Sequence, residues 1–140
     1  KIEIEADKVI EFRSPILGFD DYREFTMVNS IEDDVFYWLQ SIKDEDLSFI
    51  VINPFDFTAD YQVNISDKIK EKLEITEDDE LIICTLVVVR NGGKKVTTNL
   101  KAPIIINADK NTAGQVVLEA DYPTRYCLWD EENAGEAVSG

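Results

Sequence analysis

The chain has 140 residues, 44% hydrophobic and 31% charged, a composition typical of one folded domain rather than a disordered segment. It contains no histidine, which excludes serine–histidine and cysteine–histidine catalytic pairs and removes the commonest metal ligand. Its net charge of −15 disfavours direct binding to nucleic acid, because the phosphates would be repelled.

Hydropathy and cysteine usage indicate where the protein resides. No apolar run approaches the roughly 20 residues that span a bilayer, and no charged-then-apolar leader is present, so we expect a cytoplasmic protein without a membrane partner. Cys84 lies in an apolar stretch and Cys127 lies near Trp129. These settings are dissimilar, so we expect both thiols to be reduced.

The first half of the chain is a series of short apolar segments. Alternation and β-branched or aromatic content predict strands at residues 1–5, 9–12, 25–28, 35–42, 47–52 and 61–65. In the fourth of these, Phe36 and Trp38 share one face while Tyr37 and Leu39 share the other. Both faces are therefore apolar, which indicates either burial on both sides or one side kept for a partner.

Two aromatic residues follow the break at Asn53–Pro54. Phe55 and Phe57 flank Asp56 in a predicted loop, with Tyr61 four residues further on. A loop aromatic either tucks under the fold or is displayed as an interface anchor. The sequence leaves both interpretations open.

One short helix is predicted after the strand at residues 61–65. Ser66 is a suitable N-cap and Asp67 falls in the first turn. Ile65, Ile69 and Leu73 recur every four residues and form one apolar stripe, which we expect to pack on the core.

The second half predicts hairpins. Residues 81–89 form a long apolar strand, residues 91–93 supply a turn, and residues 96–100 return. Residues 104–107 continue that strand, residues 111–114 form a second turn, and residues 115–118 form the last predicted strand. We expect one domain over residues 1–128 and an acidic, disordered tail over residues 129–140.

The stretch from Asn99 to Asn107 places a lysine and a proline within an apolar strand. Pro103 cannot donate to a ladder, so pairing must start or kink there. The bend is either an ordinary strand entry with a solvated Lys101 or a site that presents backbone groups to a partner.

Charge is unevenly distributed. Residues 81–108 contain no Asp or Glu but four basic residues, namely Arg90, Lys94, Lys95 and Lys101. Either neighbouring strands balance this charge, or it forms a patch for an acidic partner surface.

Several motifs together resemble one known family. These are Gly18-Phe19-Asp20, the aromatic run at residues 36–41, Asn53-Pro54-Phe55-Asp56-Phe57 with Tyr61, the stretch at residues 99–107, and Tyr122-Pro123-Thr124-Arg125-Tyr126. In this order and spacing they resemble the FliW family of bacterial flagellar assembly factors, from about residue 2 to about residue 126.

The sequence departs from the family pattern in two places and at its start. Family members usually have Gly-Ile-Pro-Gly-Phe where this chain has a longer turn ending in Gly18-Phe19, and aspartate where it has Asn53. They also carry a further strand's worth of residues before the start, so we expect the family's first strand to lie outside this sequence.

The resemblance implies a mainly β fold and a protein-binding function without enzyme activity. We expect a compact antiparallel barrel or sandwich of short strands with one short helix. The implied function is antagonism of CsrA, a small dimeric RNA-binding translational repressor, with flagellin as the competing partner and no cofactor or metal. We expect a protein that is monomeric when free. The candidate partner contacts are Phe55, Phe57, Tyr61, Asn99, Lys101 and Pro103.

Two alternatives remain open at this point. One is an acidic chaperone or adaptor for another secreted client. The other is a small hydrolase that uses paired carboxylates, with Trp38 as a stacking platform. The acidic clusters at residues 32–34, 44–46 and 77–80 lack the spacing and central glycine of a calcium-binding loop, so we interpret them as solvated loops.

Overall fold

The computed structural model describes residues 8–29 and 35–131. These residues form nine strands and one α-helix. The strands are β1 (Ile10–Ser14), β2 (Glu24–Asn29), β3 (Tyr37–Ser41), β4 (Ser48–Ile52), β5 (Leu81–Arg90), β6 (Lys95–Thr98), β7 (Ile104–Asn107), β8 (Thr112–Gln115) and β9 (Tyr126–Asp130). Helix α1 spans Asp67–Lys72, and short 3-10 turns occur at Pro54–Asp56 and Asn91–Gly93.

Seven of the strands close into a barrel. They are arranged in the order β4-β3-β2-β1-β8-β7-β5, and β4 pairs with β5 to complete the ring. Neighbouring strands are antiparallel except β1 and β8, which are parallel. The predicted mainly β barrel with one short helix is therefore confirmed over the described residues, with one parallel pair in an otherwise antiparallel sheet.

Strands β6 and β7 act as one long strand interrupted by a bend. Both pair with the same β5, with Val87 opposite Thr98 and Cys84 opposite Ile104. The five residues between Thr98 and Ile104 face only two on β5, so the chain bulges outward there. The predicted interruption at Pro103 is confirmed, because β7 begins immediately after it. Strand β9 pairs with the outer edge of β6.

The barrel interior is a core of large apolar side chains. Phe12, Phe25, Tyr37 and Leu39 are at most 2% exposed, and the Phe12 and Phe25 rings meet edge to face at 5.2 Å. Burial alternates along β3, where Tyr37, Leu39 and Ser41 face inward. This is the alternation expected when one sheet face covers a core.

Helix α1 is attached to the barrel by Leu73, which follows it, and by the buried Asn107. Ser66 Oγ accepts a hydrogen bond from Ile69 N at 3.3 Å, which confirms the predicted N-cap. Leu73 is fully buried, and Leu73 O accepts hydrogen bonds from Asn107 Nδ2 at 3.1 Å and Thr112 Oγ1 at 2.7 Å. These bonds fix the end of α1 to β7 and β8.

Asp79 completes this buried connection. Its carboxylate pairs with Lys110 Nζ at 2.8 Å and accepts hydrogen bonds from Thr76 N and Asn107 Nδ2, each at 2.9 Å. The ammonium of Lys110, followed by these hydrogen bonds, lowers the pKa of Asp79 well below its usual range. The Asp79 side chain is therefore charged at neutral pH and holds the loop before β5 against the turn after β7.

Three local predictions are wrong. The strand predicted at residues 61–65 is absent, because this segment has no ladder partner among the described residues. Residues 112–114 of the predicted turn belong instead to strand β8, and the chain turns just before them, with Asn111 in the left-handed region at φ 57°. Of the strand predicted at residues 115–118, Gln115 alone lies in a strand, because β8 ends there. The strand predicted at residues 1–5 lies outside the described residues.

The tail and the cysteines complete the fold. Trp129 and Asp130, the first two residues of the predicted tail, belong to β9, and residues 132–140 lie outside the described part. Both cysteines are free. Burial raises the pKa of Cys84 to about 12, which keeps that thiol protonated, whereas Cys127 is exposed. In the described part of the chain, no helix is long and apolar enough to cross a membrane.

Candidate partner-binding surface

A row of three aromatic rings runs outward from the bend between β6 and β7. The Tyr61 ring meets that of Tyr122 at 4.8 Å, nearly perpendicular, and that of Phe55 at 5.6 Å. Tyr61 is 4% exposed whereas Phe55 is 45% exposed. The row therefore has the buried Tyr61 ring in its middle, the half-buried Tyr122 ring at one end, and the exposed Phe55 ring at the other.

The turn after β4 determines how Phe55 is presented. Asn53 Oδ1 accepts a hydrogen bond from Phe55 N at 3.0 Å, and Pro54 is buried in the first position of the 3-10 turn. Phe57 N closes this turn by donating to Pro54 O at 3.1 Å, and the Phe57 side chain is only half-buried. The turn resolves the choice left by the sequence for Phe55, whose ring is displayed rather than tucked.

Tyr61 supports this surface from inside. Its hydroxyl donates to Leu100 O at 2.7 Å, which ties the aromatic row to the bend. Burial, with a smaller contribution from Tyr122, raises the pKa of Tyr61, so its phenol remains neutral and a donor. The small exposed area of Tyr61 leaves it to position Phe55 more than to present a contact of its own.

The bend itself is internally bonded. Asn99 Oδ1 accepts hydrogen bonds from Lys101 N at 3.0 Å and Ala102 N at 3.1 Å. Lys101 O and Pro103 O accept the amides of Leu118 at 2.9 Å and Val116 at 3.0 Å. The backbone groups that the sequence suggested for an incoming partner are thus already paired within the chain.

Side chains at the bend are partly available. Lys101 Nζ donates to Ala120 O at 2.9 Å, so its ammonium is held against the segment after β8. Asn99 and Lys101 are intermediate in burial, and Pro103 is buried. The structure thus brings Tyr61 and the three predicted residues of the bend together through Leu100, and places Phe55 at the outer end of the aromatic row.

A row of apolar residues on the outer face of the barrel wall, exposed at two positions and half-buried at two, was not predicted from the sequence as a unit. Val28 lies opposite Trp38, Trp38 opposite Ile50, and Ile50 opposite Val87. Val28 and Trp38 are 39% and 40% exposed, whereas Tyr37 on the other face of β3 is buried. The face of Trp38 therefore points outward. Alternation within each strand was the available signal, but only cross-strand register aligns the four residues.

The basic hairpin at β5–β6 is partly balanced. Lys95 Nζ lies 3.9 Å from Asp130 Oδ2, a long ion pair at the edge of the sheet. Arg90 and Lys94 are exposed and form no ion pair with the described residues. A neighbouring strand therefore balances one basic charge of the hairpin, and the other two remain accessible to an acidic partner surface.

The carboxylates of the described residues do not gather into a metal-binding group. Within residues 8–29 and 35–131, no group of three or more Cys, Asp or Glu side chains is placed to hold a metal ion. The groove beside α1 has one carboxylate, Glu119, among its described lining residues. An acid pair of the kind that glycoside hydrolysis needs is therefore not found there.

Comparison with known proteins gives one consistent result. The sequence model of the FliW protein family matches residues 1–128. The flagellar assembly factor FliW of Caldicellulosiruptor saccharolyticus is 36% identical over 135 residues, covering 96% of this chain and 88% of the relative. That of Clostridium botulinum is 37% identical over 131 residues, covering 93% of each chain.

A solved structure is similar over almost the same extent. The crystal structure of a flagellar assembly factor FliW superimposes with a TM-score of 0.80 at 31% sequence identity. The match covers 94% of this chain and 92% of the other. Sequence and fold similarity thus extend across the barrel, the aromatic row and the bend.

Proposed function

This chain belongs to the FliW family of flagellar assembly factors, and we propose that it is a protein-binding antagonist of the translational repressor CsrA that also binds flagellin. While flagellin accumulates, it occupies this protein, and CsrA is free to silence flagellin messenger RNA. Once flagellin is secreted, the protein returns to CsrA. The observation that carries the proposal is the family match over residues 1–128, a range that includes all six candidate contact residues.

Mass action is sufficient to operate such a switch. One protein shared between two partners redistributes as their free concentrations change, so neither a nucleotide nor a cofactor is required. The proposed protein is monomeric when free, acts in the cytoplasm, and has no catalytic activity of its own. The displayed ring of Phe55 on its rigid support is the anchor that we assign to one of the two partners.

Acidity supplies a physical route to antagonism. A body with a net charge of −15 docked beside an RNA site lowers RNA affinity by repulsion, even where it does not cover that site. The surface of CsrA that binds this protein then need not overlap the surface that binds RNA. The acidic character of this chain therefore contributes to the proposed function beyond solubility.

A competition titration tests the switch directly. We expect the purified protein to bind CsrA in calorimetry, to release a flagellin leader RNA from CsrA in a gel shift, and to lose both effects when flagellin is added. A variant with Val88, an exposed residue of β5, replaced by alanine serves as a control that should behave as wild type. Binding to neither partner would contradict the proposal and favour an adaptor for a different client.

Ionic strength separates repulsion from steric block. If repulsion displaces the RNA, antagonism weakens with added salt more steeply than binding of the protein to CsrA does, because screening at about 0.15 M already limits charge effects to about 8 Å. The measurement is the salt dependence of both quantities in the same buffer series. Equal slopes would indicate that the protein covers the RNA site instead.

A further inference from the structure

A groove with a cavity volume of about 660 Å³ runs beside helix α1. It is lined by residues of the segment 62–66, by Lys68, Ile69 and Lys72 of α1, and by residues 116–120 after β8. Ile105, which is fully buried, also contributes to its lining. None of the three rings of the aromatic row is among its described lining residues, although Leu118, which lines the groove, belongs to the same apolar cluster as Tyr61.

One side of the groove presents an open strand edge. The amides of Val116 and Leu118 donate to Pro103 O and Lys101 O, so these two residues face the bend. Because successive residues of an extended chain direct their backbone groups to opposite sides, the N–H and C=O of Val117 point away from the bend. Neither group has a hydrogen-bond partner among the described residues, and the Val117 side chain is 61% exposed.

The strand that would cover this edge stops short of it. Strand β1 pairs with β8 up to the position where Ser14 lies opposite Gly114. Pro15 then follows and has no N–H to continue the ladder. Among the described residues, the edge beyond Gly114 thus has no neighbouring strand at the end of the groove that Ser14 lines.

The segment that precedes α1 has the character of a strand without a partner. Burial alternates along it, with Tyr61 and Val63 packed in an apolar cluster while Gln62 and Asn64 are exposed. Among the backbone amides of residues 62–65, that of Gln62 alone has a partner in the described part, Tyr122 Oη at 3.0 Å. This explains why the sequence predicted a strand that the fold does not pair.

The charge at the groove favours an acidic occupant. Lys68 and Lys72 lie one turn apart on α1, and neither forms an ion pair with any described residue. Glu119 is the one carboxylate among the described lining residues. In a chain with 29 acidic residues, two unpaired lysines at one rim are a local reversal of charge.

We propose that this groove binds an extended segment of a partner protein that alternates apolar and acidic residues. The segment adds as a strand to the Val117 edge, places its apolar side chains over the half-buried Ile69, and pairs its carboxylates with Lys68 and Lys72. The proposal rests on the groove alone and does not depend on the CsrA–flagellin switch.

Model peptides test the proposal on the full-length chain. The probe is an end-blocked hexapeptide of alternating valine and glutamate, titrated into ¹⁵N-labelled protein and followed by amide chemical shifts. Comparison peptides replace glutamate by lysine, or carry N-methyl groups that prevent strand addition. The protein variant K68E/K72E reverses the charge at the rim, and K94E/K95E is a matched double charge reversal on the distant hairpin.

The expected result is saturable binding of the valine–glutamate peptide with the largest shifts around Val117. We expect K68E/K72E to weaken binding about tenfold or more, K94E/K95E to change it by less than about threefold, and the N-methylated peptide not to bind. Equal binding of the glutamate and lysine peptides, shifts that map away from the groove, or no binding would each overturn the proposal.

Discussion

Replacing Phe55 with alanine is expected to weaken the complex with one partner by about 2 kcal/mol, roughly 30-fold in Kd, while leaving the fold intact. The ring is 45% exposed, and it is held from behind by Tyr61, whose hydroxyl is bonded to Leu100. An aromatic ring on a rigid support loses little conformational entropy on binding, which is why such residues dominate interface energetics.

Calorimetry with CsrA and with flagellin, together with thermal unfolding, distinguishes the outcomes. Val88→Ala is the matched control, because Val88 is 46% exposed but lies on β5 rather than on the aromatic row. Phe57→Ala extends the test to the half-buried member of the same turn. A fall in melting temperature with unchanged affinity for both partners would assign Phe55 to the core instead.

The residues that could be predicted from sequence are those governed by local chemistry. Pro103 lacks an amide hydrogen, so the interruption between β6 and β7 follows from its covalent structure. Ser66 caps α1 because its hydroxyl is a short-range acceptor. The turn at Asn91–Gly93 uses three residues with positive φ, which asparagine and glycine tolerate best.

The failures involve residues whose role is set by distant parts of the chain. Gly114 suggested a turn, but it lies within β8, where a Cβ would come within 3.0 Å of Ser14 Cβ on the parallel strand β1. Its small size serves close packing between strands 100 positions apart. Residues 61–65 have a strand pattern, yet ladder pairing depends on a neighbouring strand, and this segment has none among the described residues.

The candidate site shows the same division. An exposed Phe55 was one of two alternatives open to the sequence, and the capping of its turn by Asn53 decides between them. The bonding of Lys101 O and Pro103 O to the segment after β8 did not follow from the sequence, because residues 115–118 were predicted to form a strand after a turn at residues 111–114. The outward row from Val28 to Val87 likewise requires the register of four strands.

Replacing Asn107 with alanine is expected to destabilise the protein by about 3 kcal/mol, or about 10 °C in melting temperature. Asn107 is fully buried; its Nδ2 donates to Leu73 O at 3.1 Å and Asp79 Oδ2 at 2.9 Å, while its Oδ1 accepts from Asp109 N at 3.1 Å. Removing the side-chain amide leaves the backbone N–H groups of Asp109 and Lys110 without their acceptor, and it takes one donor each from Leu73 O and from the Asp79 carboxylate.

The expected loss of stability depends on the buried position of Asn107 rather than on the residue type, and a second, exposed asparagine provides the control. Asn64 is exposed and its side chain makes no hydrogen bond with the described residues, so Asn64→Ala should change the free energy of unfolding by less than about 0.5 kcal/mol. Chemical denaturation of both variants provides the comparison. If Asn107→Ala lowers the free energy of unfolding by less than about 1 kcal/mol, the hydrogen bonds of Asn107 do not anchor α1 to β7. That result would contradict the expectation that buried polar groups need their hydrogen-bond partners.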